Sequence, residues 1–142
     1  MERTELVKAA MAAGGPDATY GPAQLQKLFF LIDREIASLV DGPVFQFNPY
    51  DYGPFDSEVY DTVGELQVNG SAVVDHSQRF RTYSLTPQGY HEGAAILQQM
   101  SGDARHFIER AASWVRSVSF QEMVSAIYKQ YPDMKANSIF KE

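Results

Sequence analysis

The sequence predicts an α+β fold, mostly helical, with a winged-helix-like core, a short β-hairpin and C-terminal helices. Three observations carry that expectation. Apolar residues between positions 25 and 39 recur on a helical period. Two short β-rich runs, 72–75 and 82–85, flank a polar tip. Three later segments open with helix-capping chemistry, at Thr86-Pro87, at Ser101 or Asp103, and at Ser119. A chain of 142 residues has the length of one domain and buries roughly two-thirds of the surface its unfolded form exposes. Residues 1–142 are therefore expected to form a single domain, with the winged-helix-like core at 22–90 and a helical extension at 91–142.

The elements follow in order. Glu2 to Ala13 reads as a helix with Leu6, Ala9, Ala10 and Ala13 on one side, stopped by Gly14-Gly15. A turn-rich connection, 15–21, precedes Pro22, whose missing N–H suits a first helical turn. The next helix carries Leu25, Leu28, Phe29, Ile32, Ile36 and Leu39 on one wide face and runs to Asp41-Gly-Pro43. Val44 to Tyr52 alternates Phe45 and Phe47 with Gln46 and Asn48, the pattern of a half-buried strand, and Tyr52-Gly-Pro-Phe55 reads as a turn. Asp56 or Ser57 caps a helix with Val59, Tyr60, Val63 and Leu66 on one face, ending at Asn69-Gly70. The strands Ala72–Asp75 and Thr82–Leu85 follow, and then the capped helices. Ser119-Phe-Gln-Glu122 has capping-box spacing, Trp114, Phe120 and Tyr128 read as core, and Pro132 ends the helix before it. Met134 to Phe140 reads as a last turn docked through Ile139 and Phe140.

Composition narrows the function. Hydrophobic residues make up 44% and charged residues 21%, a globular balance. The absence of cysteine excludes disulfide scaffolds, thiolate metal sites and thiol catalysis. The opening Met1-Glu-Arg-Thr-Glu5 lacks an apolar signal region, and the apolar run 25–40 contains Lys27, Asp33, Arg34 and Glu35, so a cytoplasmic protein is expected. The net charge is −6, and it is uneven: residues 1–71 carry four basic and eleven acidic side chains, residues 72–142 eight and seven. Phosphate-rich duplexes are held chiefly by cations, so this balance argues against nonspecific nucleic-acid binding.

Catalysis needs convergent nucleophiles, tuned acids or metal ligands. His76, His91 and His106 lie fifteen residues apart with no metal spacing, and no Walker, dinucleotide, zinc-protease or nucleophile-elbow motif occurs. A protein that is not an enzyme, without cofactor or metal, is expected; a concealed carboxylate site is the reading opposed to it. The segment 45–61 interleaves Phe45, Phe47, Tyr50, Tyr52, Phe55 and Tyr60 with Asp51, Asp56, Glu58 and Asp61. Its rings either fill the space between strand and core helix or supply contact area for a partner, while the acids face water and select a basic surface. The candidate partner-binding residues are Tyr50, Asp51, Tyr52, Phe55, Asp56 and Glu58. In the alternative reading, a winged-helix regulator of transcription, Arg79 and Arg81 on the hairpin contact nucleic acid. Against it, the helix after Asp56 carries Glu58, Asp61 and Glu65 and no cation, which phosphates repel.

Three segments in order carry a resemblance. Gln24-Leu-Gln-Lys-Leu-Phe-Phe30 resembles the "KLQKLLY"-type helix of the SocA-like antitoxin (Panacea) family, although Ala23-Gln24 stands where that family commonly has a basic residue. Tyr52-Gly-Pro-Phe-Asp-Ser-Glu-Val-Tyr60 resembles its "YGP…EVY" turn and helix, and Tyr83-Ser-Leu-Thr-Pro-Gln-Gly89 is similar to the strand and helix start that follow. The YwgA-type proteins share similar segments, with a looser likeness at 119–132, and the toxin-binding domain of DarG antitoxins is similar more distantly. The resemblance covers about residues 22–90. It implies a non-catalytic protein of bacterial or phage toxin–antitoxin or defence systems that neutralises a toxin by direct binding.

Overall fold

A computed structural model describes residues 1–141 and is an α+β structure. Six α-helices occur among the described residues: α1 (Arg3–Ala12), α2 (Pro22–Glu35), α3 (Glu58–Val68), α4 (Pro87–Gln99), α5 (Gly102–Ser117) and α6 (Phe120–Gln130). A three-stranded antiparallel sheet joins β1 (Thr19–Tyr20), β4 (Ala72–Asp75) and β5 (Thr82–Leu85) in the order β1-β5-β4, and a separate hairpin pairs β2 (Asn48–Tyr50) with β3 (Gly53–Phe55). The register puts Tyr20 opposite Tyr83 and Val73 opposite Ser84.

Helix α1 is sequestered nearly all round. Leu6, Val7, Ala9, Ala10, Met11 and Ala12 are buried, because α3, α4, α5 and β5 surround the helix. Its alanines permit close approach. At Gly93 of α4 an added Cβ would run into the Lys8 carbonyl and the Ala12 methyl, so that glycine sets how near the two axes lie. Helix α2 lies against α5, α3 and β3 and buries Leu25, Leu28, Phe29, Phe30 and Ile32 together with three polar side chains, Gln26, Lys27 and Asp33.

Local signals act as expected over much of the chain. Thr86 Oγ1 accepts the Gly89 N–H at 3.0 Å, Ser101 Oγ accepts Ala104 N–H at 3.1 Å, and Ser119 with Glu122 closes a reciprocal capping box. The strands Ala72–Asp75 and Thr82–Leu85 keep their expected bounds.

Four expectations are corrected. The helix from Pro22 stops at Glu35 and gives way to a 3-10 turn, Ala37–Leu39, which leaves Leu39 exposed. The stop coincides with a non-local anchor: the Asp33 carboxylate accepts the N–H groups of Val44 at 2.8 Å and Phe45 at 2.7 Å, folding the chain back along the helix. The same bonds explain why Val44–Phe47 is not a strand. Phe45 is buried and Gln46 exposed, as alternation requires, but carboxylates rather than a neighbouring strand take the N–H groups. Tyr52-Gly-Pro-Phe55 is not simply a turn, because Gly53–Phe55 pairs with Asn48–Tyr50. Two prolines, Pro49 and Pro54, face each other in this hairpin, and neither can donate to a ladder. Finally, Ile139 stays 60% exposed. The C-terminal segment docks through its backbone, with Ile139 N–H on the Asp51 carbonyl at 3.0 Å, and through Phe140 against Phe120 and Tyr128.

Candidate functional site

The segments that carry the family resemblance meet at the start of α2. Gln26 presents its side-chain amide to the backbone of Asp56 much as a strand would, donating from Nε2 to the carbonyl at 3.0 Å and accepting the N–H at 2.9 Å. Tyr60 Oη donates to the Pro22 carbonyl at 3.1 Å. Lys27 runs beneath the β2–β3 hairpin, its Nζ 3.8 Å from where a Cβ on Gly53 would lie. Gly53 itself has φ +106°, backbone that a side chain would strain.

The predicted partner residues divide by what they touch. The Asp56 carboxylate accepts Gln46 N–H at 2.8 Å and Glu58 N–H at 2.9 Å, so it caps α3 and holds the preceding loop. Glu58 pairs with Arg3 at 3.2 Å. Asp51, half-buried, lends its carbonyl to the C-terminal segment. Tyr50 stands 54% exposed and stacks on Phe55 with centroids 5.0 Å apart. A column of rings continues from Phe55 to Tyr60 and on to Tyr83, 6.0 and 5.6 Å between centroids. The Arg81 guanidinium lies over Tyr60 and Tyr83, 5.4 and 5.8 Å from their centroids. Of the two arginines proposed for nucleic-acid contact, Arg81 thus sits at the end of the ring column that starts at Tyr50. Arg79 sits apart, over the exposed Phe80.

Beside the column lies an apolar groove of about 630 Å³ lined by Pro22, Gln24, Tyr52, Phe80, Phe120 and Met123, among others. Tyr52, Phe80 and Phe120 remain 42%, 67% and 44% exposed. Phe120 is thus a correction to the reading of that ring as core; it opens α6 and meets Tyr52 edge-on at 5.3 Å. Phe80 and Phe120 were not singled out as site residues by sequence reasoning. Each is one aromatic in a local pattern that buries such rings as often as not, and only the tertiary fold brings them beside the YGP hairpin.

Lys27 is the other residue sequence reasoning missed. It is 4% exposed, and burial alone brings its amine down from 10.5 to about 8, since leaving water disfavours the charged form. Asp33 is raised by burial, with the Val44 and Phe45 N–H groups opposing that rise. Tyr60 is pushed up to about 12, chiefly by burial. His76, His91 and His106 are each exposed, and no group of three metal-ligating side chains occurs among the described residues. No helix among the described residues is long and apolar enough to cross a membrane.

Comparison with protein-family profiles, with curated proteins and with solved structures finds no match to this chain.

Proposed function

We propose that the protein is a non-catalytic binding module of the SocA-like antitoxin kind, which acts in the cytoplasm and neutralises a toxin by direct contact. One observation carries the reading: Tyr52, Phe80 and Phe120, from three segments distant in sequence, leave large rings exposed around one apolar groove. Exposed aromatic clusters of this kind are what protein partners bury as anchors. On α3, Asp61 and Glu65 are exposed, and they supply an acidic complement to a basic toxin surface. Asp56 and Glu58 contribute less to that complement than their sequence position suggests, being engaged within the chain.

The regulator reading draws support from Arg79 and Arg81, both exposed on the β4–β5 hairpin. The acidic face of α3 weighs against it, because a helix bearing Glu58, Asp61 and Glu65 is repelled from a groove walled by phosphates. The test is co-expression with the product of the adjacent open reading frame. The wild-type chain is expected to copurify with that product and to restore growth. Phe80→Asp combined with Phe120→Asp is expected to lose both effects. A double variant that neutralises as well as wild type refutes the reading. Duplex binding at low salt that falls steeply as salt rises supports the regulator instead.

A further inference from the structure

The walls of the apolar groove beside the YGP hairpin differ sharply in what they can still bond. No lining side chain is a carboxylate, lysine, arginine or histidine, and only Gln24 and Tyr52 carry a side-chain polar group able to donate. Gln24 turns its Oε1 back onto the N–H of Gly21, another wall residue, at 2.7 Å. The Nε2 of the same amide is thereby held at the wall, and it donates to nothing among the described residues. The Tyr52 hydroxyl is likewise unpartnered among them. Neither donor is sealed off, since the one buried side-chain polar atom without a partner among the described residues is the Tyr83 hydroxyl.

Acceptors on the α2 wall are already engaged. The Gly21 carbonyl takes the Leu25 N–H at 3.1 Å, and the Pro22 carbonyl takes the Tyr60 hydroxyl, also at 3.1 Å. Ala23 and Gln24 lie inside α2, where the helical ladder uses their carbonyls. The groove thus presents free donors and the exposed rings of Tyr52, Phe80 and Phe120. Its chemical complement is an occupant that brings apolar surface and acceptors but few donors. A charged side chain on that occupant would lose water here and meet no counter-charge on the walls, so the occupant is uncharged as well.

We propose that the groove takes an uncharged, proline-rich segment of the protein partner in the polyproline II conformation, an inference that rests on the binding-module reading and gives its partner a chemistry. A polyproline II segment has no internal hydrogen bonds, so its carbonyls are free to accept from Gln24 Nε2 and Tyr52 Oη. Its prolines bring no N–H that the engaged carbonyls would leave unpaired. Their rings pack against Tyr52, Phe80 and Phe120, the mode in which aromatic-lined grooves read such segments. An α-helix fits worse: its carbonyls are used internally, and it would bury both donors of the groove without partners. A β-strand fits worse for the opposite reason, since it carries N–H groups to a helix wall with no free carbonyl. The segment also arrives already extended, so little conformational freedom is lost on docking.

The experiment is an NMR titration of the 15N-labelled full chain with N-acetyl-octaproline amide and with a capped, uncharged helical peptide of Ala, Leu and Gln. Octaproline is expected to bind about tenfold more tightly than the helical peptide, with amide resonance changes at Gly21, Tyr52, Phe80 and Phe120. Gln24→Leu and Tyr52→Phe keep the bulk of the walls and remove one donor each; each is expected to weaken octaproline binding about three- to tenfold. Val68→Ala, at an exposed apolar residue outside the groove, is expected to change nothing. No resonance change at those four residues, equal or tighter binding of the helical peptide, or an affinity untouched by both donor variants overturns the proposal. The comparison of the two peptides on the wild-type chain needs no substitution, so a variant that failed to fold would leave it decisive. Copurification in the co-expression test without octaproline binding strikes this proposal and leaves the binding-module reading standing. Octaproline binding without copurification strikes the toxin reading alone.

Discussion

Replacing Lys27 by methionine keeps the length of the stem and removes the amine, and it is expected to raise stability in a pH-dependent way. The folded chain holds this amine near pKa 8, against an ordinary value of 10.5. Lowering a pKa by one corresponds to about 1.4 kcal/mol, so keeping the charge in the folded state below pH 8 costs about 3 kcal/mol. Between pH 8 and 10.5 the unfolded chain holds a proton that the folded chain has released, so wild-type stability rises with pH across that window. Tyr20, Tyr60 and Tyr131, pushed up to about 12, work in the opposite sense above about pH 10, where the unfolded chain loses protons first. Those tyrosines are present in both proteins and cancel in the difference. Urea unfolding of wild type and Lys27→Met at pH 7 and pH 10 reads it directly. The variant is expected to be more stable by about 3 kcal/mol at pH 7, with most of the pH-dependent part gone by pH 10. A difference that does not change between the two pH values would refute the view that Lys27 is an uncompensated buried amine.

Four further outcomes follow from the packing. Asp33→Asn leaves one of the two N–H groups of Val44 and Phe45 facing an amide donor, and urea unfolding is expected to show a loss of about 3 kcal/mol. Tyr83→Phe removes a hydroxyl that is buried without a partner among the described residues; stability is expected to hold or rise by up to about 1 kcal/mol, and a clear loss would mean the hydroxyl is satisfied. Gly93→Ala drives a methyl into the Lys8 carbonyl and is expected to cost about 2 kcal/mol or more in thermal unfolding, by forcing α1 and α4 apart. Phe80→Ser, at an exposed hairpin tip, is expected to change stability by less than about 0.5 kcal/mol, which makes it a clean variant for binding assays.

The parts of the fold that were legible in the sequence are those whose causes are local. A serine or threonine bonds an N–H three residues on, so the starts of α4, α5 and α6 are written in four-residue patterns. The β4–β5 hairpin is bounded by residues that suit strands on both sides of a polar tip. What was not legible depends on partners far along the chain. The end of α2 and the irregular course of 44–47 turn on Asp33, eleven and twelve residues away. Asp56 reads as a surface acid in an acidic run, yet its carboxylate is divided between Gln46 and Glu58 while Gln26, thirty residues earlier, pairs with its backbone.

The candidate site divides in the same way. The YGP hairpin and its tyrosines stood out because aromatic rings set among carboxylates are conspicuous in any order. Phe80 and Phe120 were inconspicuous, and forty residues separate them; they share a groove only because the β4–β5 hairpin and the start of α6 are brought to the same end of α2.

The sequence alone determined an α+β chain of capped helices around a short hairpin, since caps, turns and periodicity act within a few residues. The tertiary structure decided which acids are engaged within the chain, which rings stay exposed and that Lys27 is buried with no counter-charge among the described residues. Burial and pairing are properties of neighbours in space, and these neighbours lie tens of residues apart in the chain.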